Sequence, residues 1–412
     1  MSALPGTARK ASLLFIVATV TIDMLGIGLA WPILPQLIRS LSGEGFAESA
    51  WVYGLLLSGF AAIQFLVSPF LGMLSDRFGR RPVLIISLLA LGVDYVILAL
   101  APNLWWLIVA RIVAGFFSAT VSTANAYIAD ITPREGRAAA FGLLGAAFGV
   151  GFILGPLIGG VLGAIDLHLP FVLAAVLAFG NAAFGYFVLP ESLPAEKRRP
   201  ISLSRANPFA ALWSMRRYGS LLLLMTVLLV TGLAQQGLQG IWVLWTDVRF
   251  GFDVAQAGYS LAWVGVCSVF VQGYLVRKIV PAFGERTVLF GGYAISAIAF
   301  LALPFFTEPW MLYAGIAFHI LGWGSASPTL QSTMSRAVPD NEQGLLQGTI
   351  TSVNTIGMVA GPLIATDIFG RSVGAGAIFS NPGAFYWLGA ILFLAAIALL
   401  MLDRSRAVEP SA

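Results

Sequence analysis

Three charged side chains stand inside stretches that are otherwise apolar: Asp23, Asp94 and Arg111. A charge in hydrocarbon is costly unless it is paired or wet, so such residues default to function. Burial and a neighbouring guanidinium pull the protonation of a carboxylate in opposite directions. That competition is what a proton-on, proton-off switch requires. A static buried ion pair is the plainer use of the same three residues. His319 stands in the middle of another apolar run. It is either a neutral hydrogen-bonded core residue or a second titrating or substrate-contacting group.

Uncharged polar residues form stripes in the same kind of sequence. Arg111, Ser118, Ser122 and Asn125 share one face of a continuous helix, as do Thr231, Gln235, Gln239, Trp242 and Thr246. Gln64, Trp263, Trp323 and Asn354 can join them around one cavity. Aromatic walls with a few polar groups suit a planar amphipathic ligand. Plain helix–helix hydrogen bonding accounts equally well for any single member. The one cysteine, Cys267, and the two histidines leave no metal site to expect. No nucleophile–base pair stands at membrane depth, so no enzyme activity is expected.

Two glycine patterns complete the chemistry. The first is Gly72-Met-Leu-Ser-Asp76-Arg77-Phe-Gly79-Arg80-Arg81. It reads as a latch: Gly72 permits close helix approach, and Arg80 or Arg77 can reach Asp130. Asp76 can sit at the positive N-terminus of a later helix, the one opening near Gly344. The second is Gly142-x8-Gly151-x3-Gly155-Pro156-x2-Gly159-Gly160. Glycines so spaced let helices pack backbone to backbone, and the Gly-Pro pair bends the helix.

The elements that must position these residues follow from composition. The chain has 412 residues, 58% hydrophobic and 10% charged, with mean hydropathy +0.88. A soluble domain carries about 25% charged residues. A soluble enzyme, a nucleic-acid binder and a secreted disulfide scaffold are thereby excluded, and an all-α membrane protein remains. Apolar runs of spanning length predict twelve transmembrane helices, at 12–38, 51–74, 83–101, 104–129, 138–164, 169–189, 219–246, 255–279, 287–306, 309–333, 344–369 and 383–402. The first run is too long for a signal-peptide core and reads as a retained span. Every Lys and Arg except Arg39, Arg249, Arg371 and the intramembrane Arg111 falls on one set of span ends. That bias places both termini in the cytoplasm, and the net charge of +4 marks loops rather than a nucleic-acid footprint.

The chain repeats itself. Pro133, Gly142, Gly151, Gly155 and Pro156 recur as Pro339, Gly348, Gly357, Gly361 and Pro362, each 206 residues on. Phe78-Gly79 recurs as Phe283-Gly284, one residue short, within a degraded copy of the latch that runs from Gly273 to Arg286. Two six-helix bundles are expected, 1–189 and 219–412, joined by a cytoplasmic linker at 190–218. Such a parallel repeat places a substrate site between its halves near the bilayer midplane. It encloses its own pathway, so a monomer suffices.

The Gly72–Arg81 loop resembles motif A of the major facilitator superfamily, and the Gly142–Gly160 pattern resembles motif C, found in its proton-coupled exporters. Asp23 to Pro35, Ser75 to Pro82, Val93 to Tyr95, Tyr127 to Asp130, Pro190 to Ser192, Ser260 to Ala262 and Leu346 to Gly348 resemble, more narrowly, the tetracycline/proton antiporters of bacterial inner membranes. The resemblance runs over nearly the whole chain. It implies the major facilitator fold and export of a small-molecule drug, a Mg²⁺–tetracycline chelate, in exchange for protons. The Mg²⁺ is then part of the cargo, with no resident cofactor. The family's acids in helices 1 and 3 match Asp23 and Asp94, its helix 2 glutamine matches Gln64, and its helix 4 arginine matches Arg111. Its motif A Asp and Arg match Asp76 and Arg80. Two positions depart: Ile295 stands where the family carries an essential Asp in helix 9, and Ser268 where it carries a His in helix 8. An exporter of another drug or metabolite, and a proton-coupled uptake symporter, are the alternatives.

Overall fold

The computed structural model describes residues 6–43, 45–118, 120–133, 136–198, 200, 219–339, 342–373, 377 and 381–402. Most of the expected linker, 201–218, therefore lies outside the described residues. Regular structure among the described residues is helical throughout. The long elements are α1 (Gly6–Ala30), α2 (Leu34–Ser42), α3 (Phe46–Phe78), α4 (Arg80–Ala99), α5 (Leu104–Phe117), α6 (Thr120–Ile131), α7 (Arg137–Ile165), α8 (Leu169–Val188), α9 (Gly219–Phe250), α10 (Val254–Phe270), α11 (Val276–Ala302), α12 (Pro309–Arg336), α13 (Gln343–Val373) and α14 (Ala384–Leu402).

Ten described stretches are long and apolar enough to cross a membrane. One of them, Val254–Phe305, holds two of the expected spans. It contains α10, a π-turn at Val271–Leu275, and α11, inside which Gly284 (φ 75°) separates two helical pieces. The helix α12 is 28 residues long but is not among the ten. Its polar residues His319, Ser325, Ser327, Thr329, Gln331, Ser332, Thr333 and Ser335 explain that. Helix breaks fall where local chemistry demands them. Pro32 and Pro35 separate α1 from α2, and α2 ends on Gly43 in the left-handed region, φ 65°. The expected fourth span is two helices, α5 and α6, parted at Ser118, whose ψ of 63° is not helical. Arg111 therefore stands on α5, and Ser122 and Asn125 stand on α6 beyond that break.

The helices group into two compact units. Unit 1 holds α1, α2, the part of α3 from Gly59 onward, α4 to α8, and Asp253–Ala262 at the start of α10. Unit 2 holds the start of α3 up to Ser58, α9, the rest of α10 from Trp263, and α11 to α14. The repeat is visible in how each unit packs. In unit 1 a Cβ on Gly155 would lie 2.7 Å from Gly28 Cα, and one on Gly151 would lie 2.7 Å from Thr21 O. In unit 2 a Cβ on Gly361 would lie 2.9 Å from Gly237 N, and one on Gly240 would lie 3.0 Å from Pro362. Thus α7 lies backbone to backbone against α1, and α13 against α9. Small residues, rather than hydrophobic burial, set helix spacing where the solvent is lipid.

Candidate functional site

The buried charges of unit 1 converge. Arg111 Nη2 donates to Asp94 Oδ2 at 2.6 Å, and the Asp94 side chain is 1% exposed. The short turn between α4 and α5 explains the pairing. Asp94 stands five residues before the end of α4 and Arg111 seven after the start of α5, so both lie at similar depth. The guanidinium also lies over the Phe60 ring, 5.8 Å from its centroid. Asp94 Oδ1 and Arg111 Nε are buried without hydrogen-bond partners.

Arg111 is therefore bound to Asp94 and leaves Asp23 without a cation. Asp23 is 8% exposed and makes no hydrogen bond or ion pair among the described residues. It lies on α1, the helix keyed against the glycines of α7. Tyr95, next to Asp94, packs its ring where Gly26 has no side chain, with its ζ carbon 2.9 Å from the position of a glycine Cβ. The Tyr95 phenol lies within electrostatic reach of Asp23, Asp94 and Arg111 together. Sequence reading had no role for Tyr95, because only the crossing of α1 and α4 shows what faces it. Gln64 Nε2 donates to Ser118 Oγ at 2.6 Å, bridging α3 to the break between α5 and α6. Ser122 and Asn125 are exposed on α6.

Unit 2 buries a polar pair of its own. His319 Nε2 and Gln235 Oε1 are 3.0 Å apart, joining α12 to α9. The imidazole is 5% exposed and sits among rings, with Phe300 at 5.2 Å and Phe393 at 6.3 Å. Trp323 meets Phe393 at 6.2 Å, and Tyr386 meets Phe300 at 5.8 Å. His319 Nδ1, Tyr386 Oη, Trp245 Nε1 and Ser325 Oγ are buried without partners. Gln239 and Asn354 are half-buried. Thr231 and Thr246 spend their hydroxyls on carbonyls of their own helix. Trp242 is buried against Trp245, with centroids 6.0 Å apart. Trp263 is turned elsewhere, its indole N–H donating to Tyr313 O at 3.0 Å. The π-turn of Val271–Leu275 follows Ser268 on the same span. No group of three or more His, Cys, Asp or Glu is gathered among the described residues.

The latch loop of unit 1 is a network of charges. Arg80 Nη1 pairs with Asp76 Oδ1 at 2.6 Å, and Arg80 Nε with Asp130 Oδ2 at 3.2 Å. Arg77 is exposed. Within its own unit, then, the partner of Asp76 is Arg80. A Cβ on Gly72, or on Gly142, would meet nothing within 4 Å. Gly79, at φ 109°, is the N-cap of α4 and has no side chain to cap with. Glu191 takes that role from the end of α8. Its Oε1 accepts from Arg80 N at 2.8 Å and its Oε2 from Arg81 N at 3.2 Å. Ser192 Oγ donates to Asp130 Oδ2 at 3.2 Å, and Tyr127 Oη donates to Pro190 O at 2.8 Å. The Pro190-Glu191-Ser192 stretch is thus part of the latch. Along α7, Gly151, Gly155, Pro156 and Gly159 line the contact with α1, while Gly160 faces Gly258.

This architecture matches known proteins over nearly its whole length. The family model for the Major Facilitator Superfamily matches residues 16–362 and 282–412. A tetracycline resistance protein of class C from Escherichia coli is 41% identical over 94% of this chain and 96% of its own length. A class D protein of that name from Salmonella ordonez is 35% identical over 97% of this chain and 98% of its own. Among solved structures, the human organic anion transporter TETRAN is 26% identical, with a TM-score of 0.71 over 96% of this chain and 100% of its own. With helices long enough to span a bilayer, glycine-keyed helix pairs and charges buried at membrane depth, the chain is a multi-pass membrane transporter rather than an enzyme, and it belongs to the major facilitator superfamily.

Proposed function

We propose that this transporter exports a tetracycline-type antibiotic from the bacterial cytoplasm across the inner membrane in exchange for protons, by alternating access. The names of relatives at 41% and 35% identity support the cargo. The observation that carries the proton half is Asp23, a buried carboxyl group with no cation of its own, while Arg111 is taken by Asp94. Arg111 matches the charge of Asp94, so a proton arriving at Asp23 changes the net charge of the cluster rather than breaking a pair. Asp23 rides on α1, and α7 is keyed to α1 by glycine contacts, so the change is felt by a helix pair that can rock as one body. Protonation from outside favours return of the empty carrier, and drug bound from the cytoplasm favours release of the proton. Both ligands bias one two-state equilibrium.

In unit 2 the drug meets hydrogen-bonding groups and rings rather than an acid. Ile295 packs against Gly322, where the resemblance leads one to expect a carboxylate. A Mg²⁺–tetracycline chelate is then held through Gln235, His319 and the aromatic walls, and its Mg²⁺ travels as cargo. That same isoleucine favours the second reading, a proton-driven exporter of another amphipathic compound. The bias of Lys and Arg supports cytoplasmic termini, and one chain is sufficient for the pathway.

The test uses purified protein in proteoliposomes with an imposed pH gradient. Tetracycline with Mg²⁺ should collapse the gradient as drug moves against it. No response to tetracycline, with a response to another compound in a drug panel, would replace the cargo and keep the exchange. Drug and protons moving in the same direction would overturn export.

A further inference from the structure

The two units carry one ion pair in opposite polarity. In unit 1 the first residue after the left-handed Gly79 is Arg80, and it pairs with Asp130 in the last turn of α6. In unit 2 the first residue after the left-handed Gly284 is Glu285, and it pairs with Arg336, the last residue of α12. The positions correspond through the repeat: Arg80 to Glu285 at an offset of 205, and Asp130 to Arg336 at 206. Each pair ties the residue after a positive-φ glycine to the end of a later helix, with the charges exchanged.

Polarity matters because helix ends are themselves charged. An N-terminus favours an anion and a C-terminus a cation. Glu285 and Arg336 obey that rule at both ends. Arg80 and Asp130 violate it at both. Unit 1 compensates with a third element: Glu191, from the end of α8, places its carboxylate on the backbone N–H groups of Arg80 and Arg81. Among the described residues of unit 2, no third element lends an acid to this helix start. Glu285 instead accepts from Thr333 Oγ1 at 2.9 Å and Ser332 Oγ at 3.5 Å, both on the helix that carries Arg336. The two pairs differ in burial as well, the Arg336 side chain being 61% exposed and that of Arg80 12%.

We propose that Glu285 and Arg336 form a fixed, charge-reversed counterpart of the Arg80–Asp130 latch, and that Glu191 is the positioning residue that makes the unit 1 latch both tenable and releasable. Removing one acid therefore loosens unit 1 selectively, while unit 2 stays closed through the cycle. The proposal rests on the alternating-access reading, and on neither tetracycline nor the proton.

Hydrogen exchange on the full chain in lipid nanodiscs, without drug or gradient, tests it. After correction for intrinsic rates, amides of 80–84 should exchange at least tenfold faster than those of 285–289 in the unmodified protein. E191Q should accelerate 80–84 a further tenfold and leave 285–289 within twofold. The double variant E285R/R336E, which keeps a pair but gives it the polarity of unit 1, should accelerate 285–289 at least tenfold. Equal rates in the unmodified protein, or no effect of E191Q on 80–84, would overturn the proposal even if the double variant fails to fold. A folded double variant with unchanged 285–289 would overturn polarity as the cause.

Discussion

The two units bury polar groups of different kinds. Unit 1 holds Asp23, Asp94 and Arg111 around the Tyr95 phenol. Unit 2 holds a hydrogen-bonded pair, Gln235 and His319, inside a shell of Phe300, Phe393 and Tyr386. The same repeat builds both, with the same glycine contacts between α7 and α1 and between α13 and α9. Chemistry has diverged on a scaffold that has not. Under the proposed function this is a division of labour, with the ion in unit 1 and rings and hydrogen bonds for a planar cargo in unit 2.

The comparison is broken most severely by D23N. If the titrating work is confined to unit 1, gradient-driven export falls to the background of empty vesicles, while downhill drug movement survives. Downhill flux, measured without a gradient, separates loss of coupling from loss of the pathway. A large effect on stability is expected from R111Q, which leaves Asp94 buried and unpaired. A loss of about 3–5 kcal/mol follows, largely recovered in R111Q/D94N, and read as unfolding temperature in detergent. The glycine scaffold comes next. G155A drives a Cβ to within 2.7 Å of Gly28 Cα and should cost about 1–3 kcal/mol. G142A meets nothing and should stay within about 0.5 kcal/mol. A modest effect belongs to unit 2. H319F removes one neutral buried hydrogen bond, worth about 1 kcal/mol. It should raise the drug concentration needed for half-maximal export and leave protons moved per drug unchanged. A change in that ratio would erase the distinction between the units.

Much of this was legible in the residues. Composition and run length dictate helices of membrane-spanning length, and Gly151, Gly155 and Gly159 within the Gly142–Gly160 pattern mark the helix face that meets α1. A reach from Arg80 or Arg77 to Asp130 also followed from the loop, and Arg80 is the one that makes it. Other features had no local signal. The break between α5 and α6 comes at Ser118 without a proline, beside Gly115, where Ile63 and Phe60 approach too closely for a side chain. The Gln235–His319 bond joins residues 84 apart in the chain, beyond any periodicity. The partner of Arg111 was readable in principle, because the turn after α4 sets Asp94 level with it. Similar depth and helix adjacency decide that pairing, whereas membership of a common charged set does not. The role of Glu191 was hidden because a helix capped from another element looks uncapped in sequence.

The central claim is that Asp23 carries the exchanged proton. Proton release on drug binding tests it most directly, with purified protein in weakly buffered detergent solution, a pH indicator, and saturating tetracycline with Mg²⁺. The account predicts release from the unmodified protein and from H319F, and none from D23N that still binds drug. Undiminished release from D23N would contradict it.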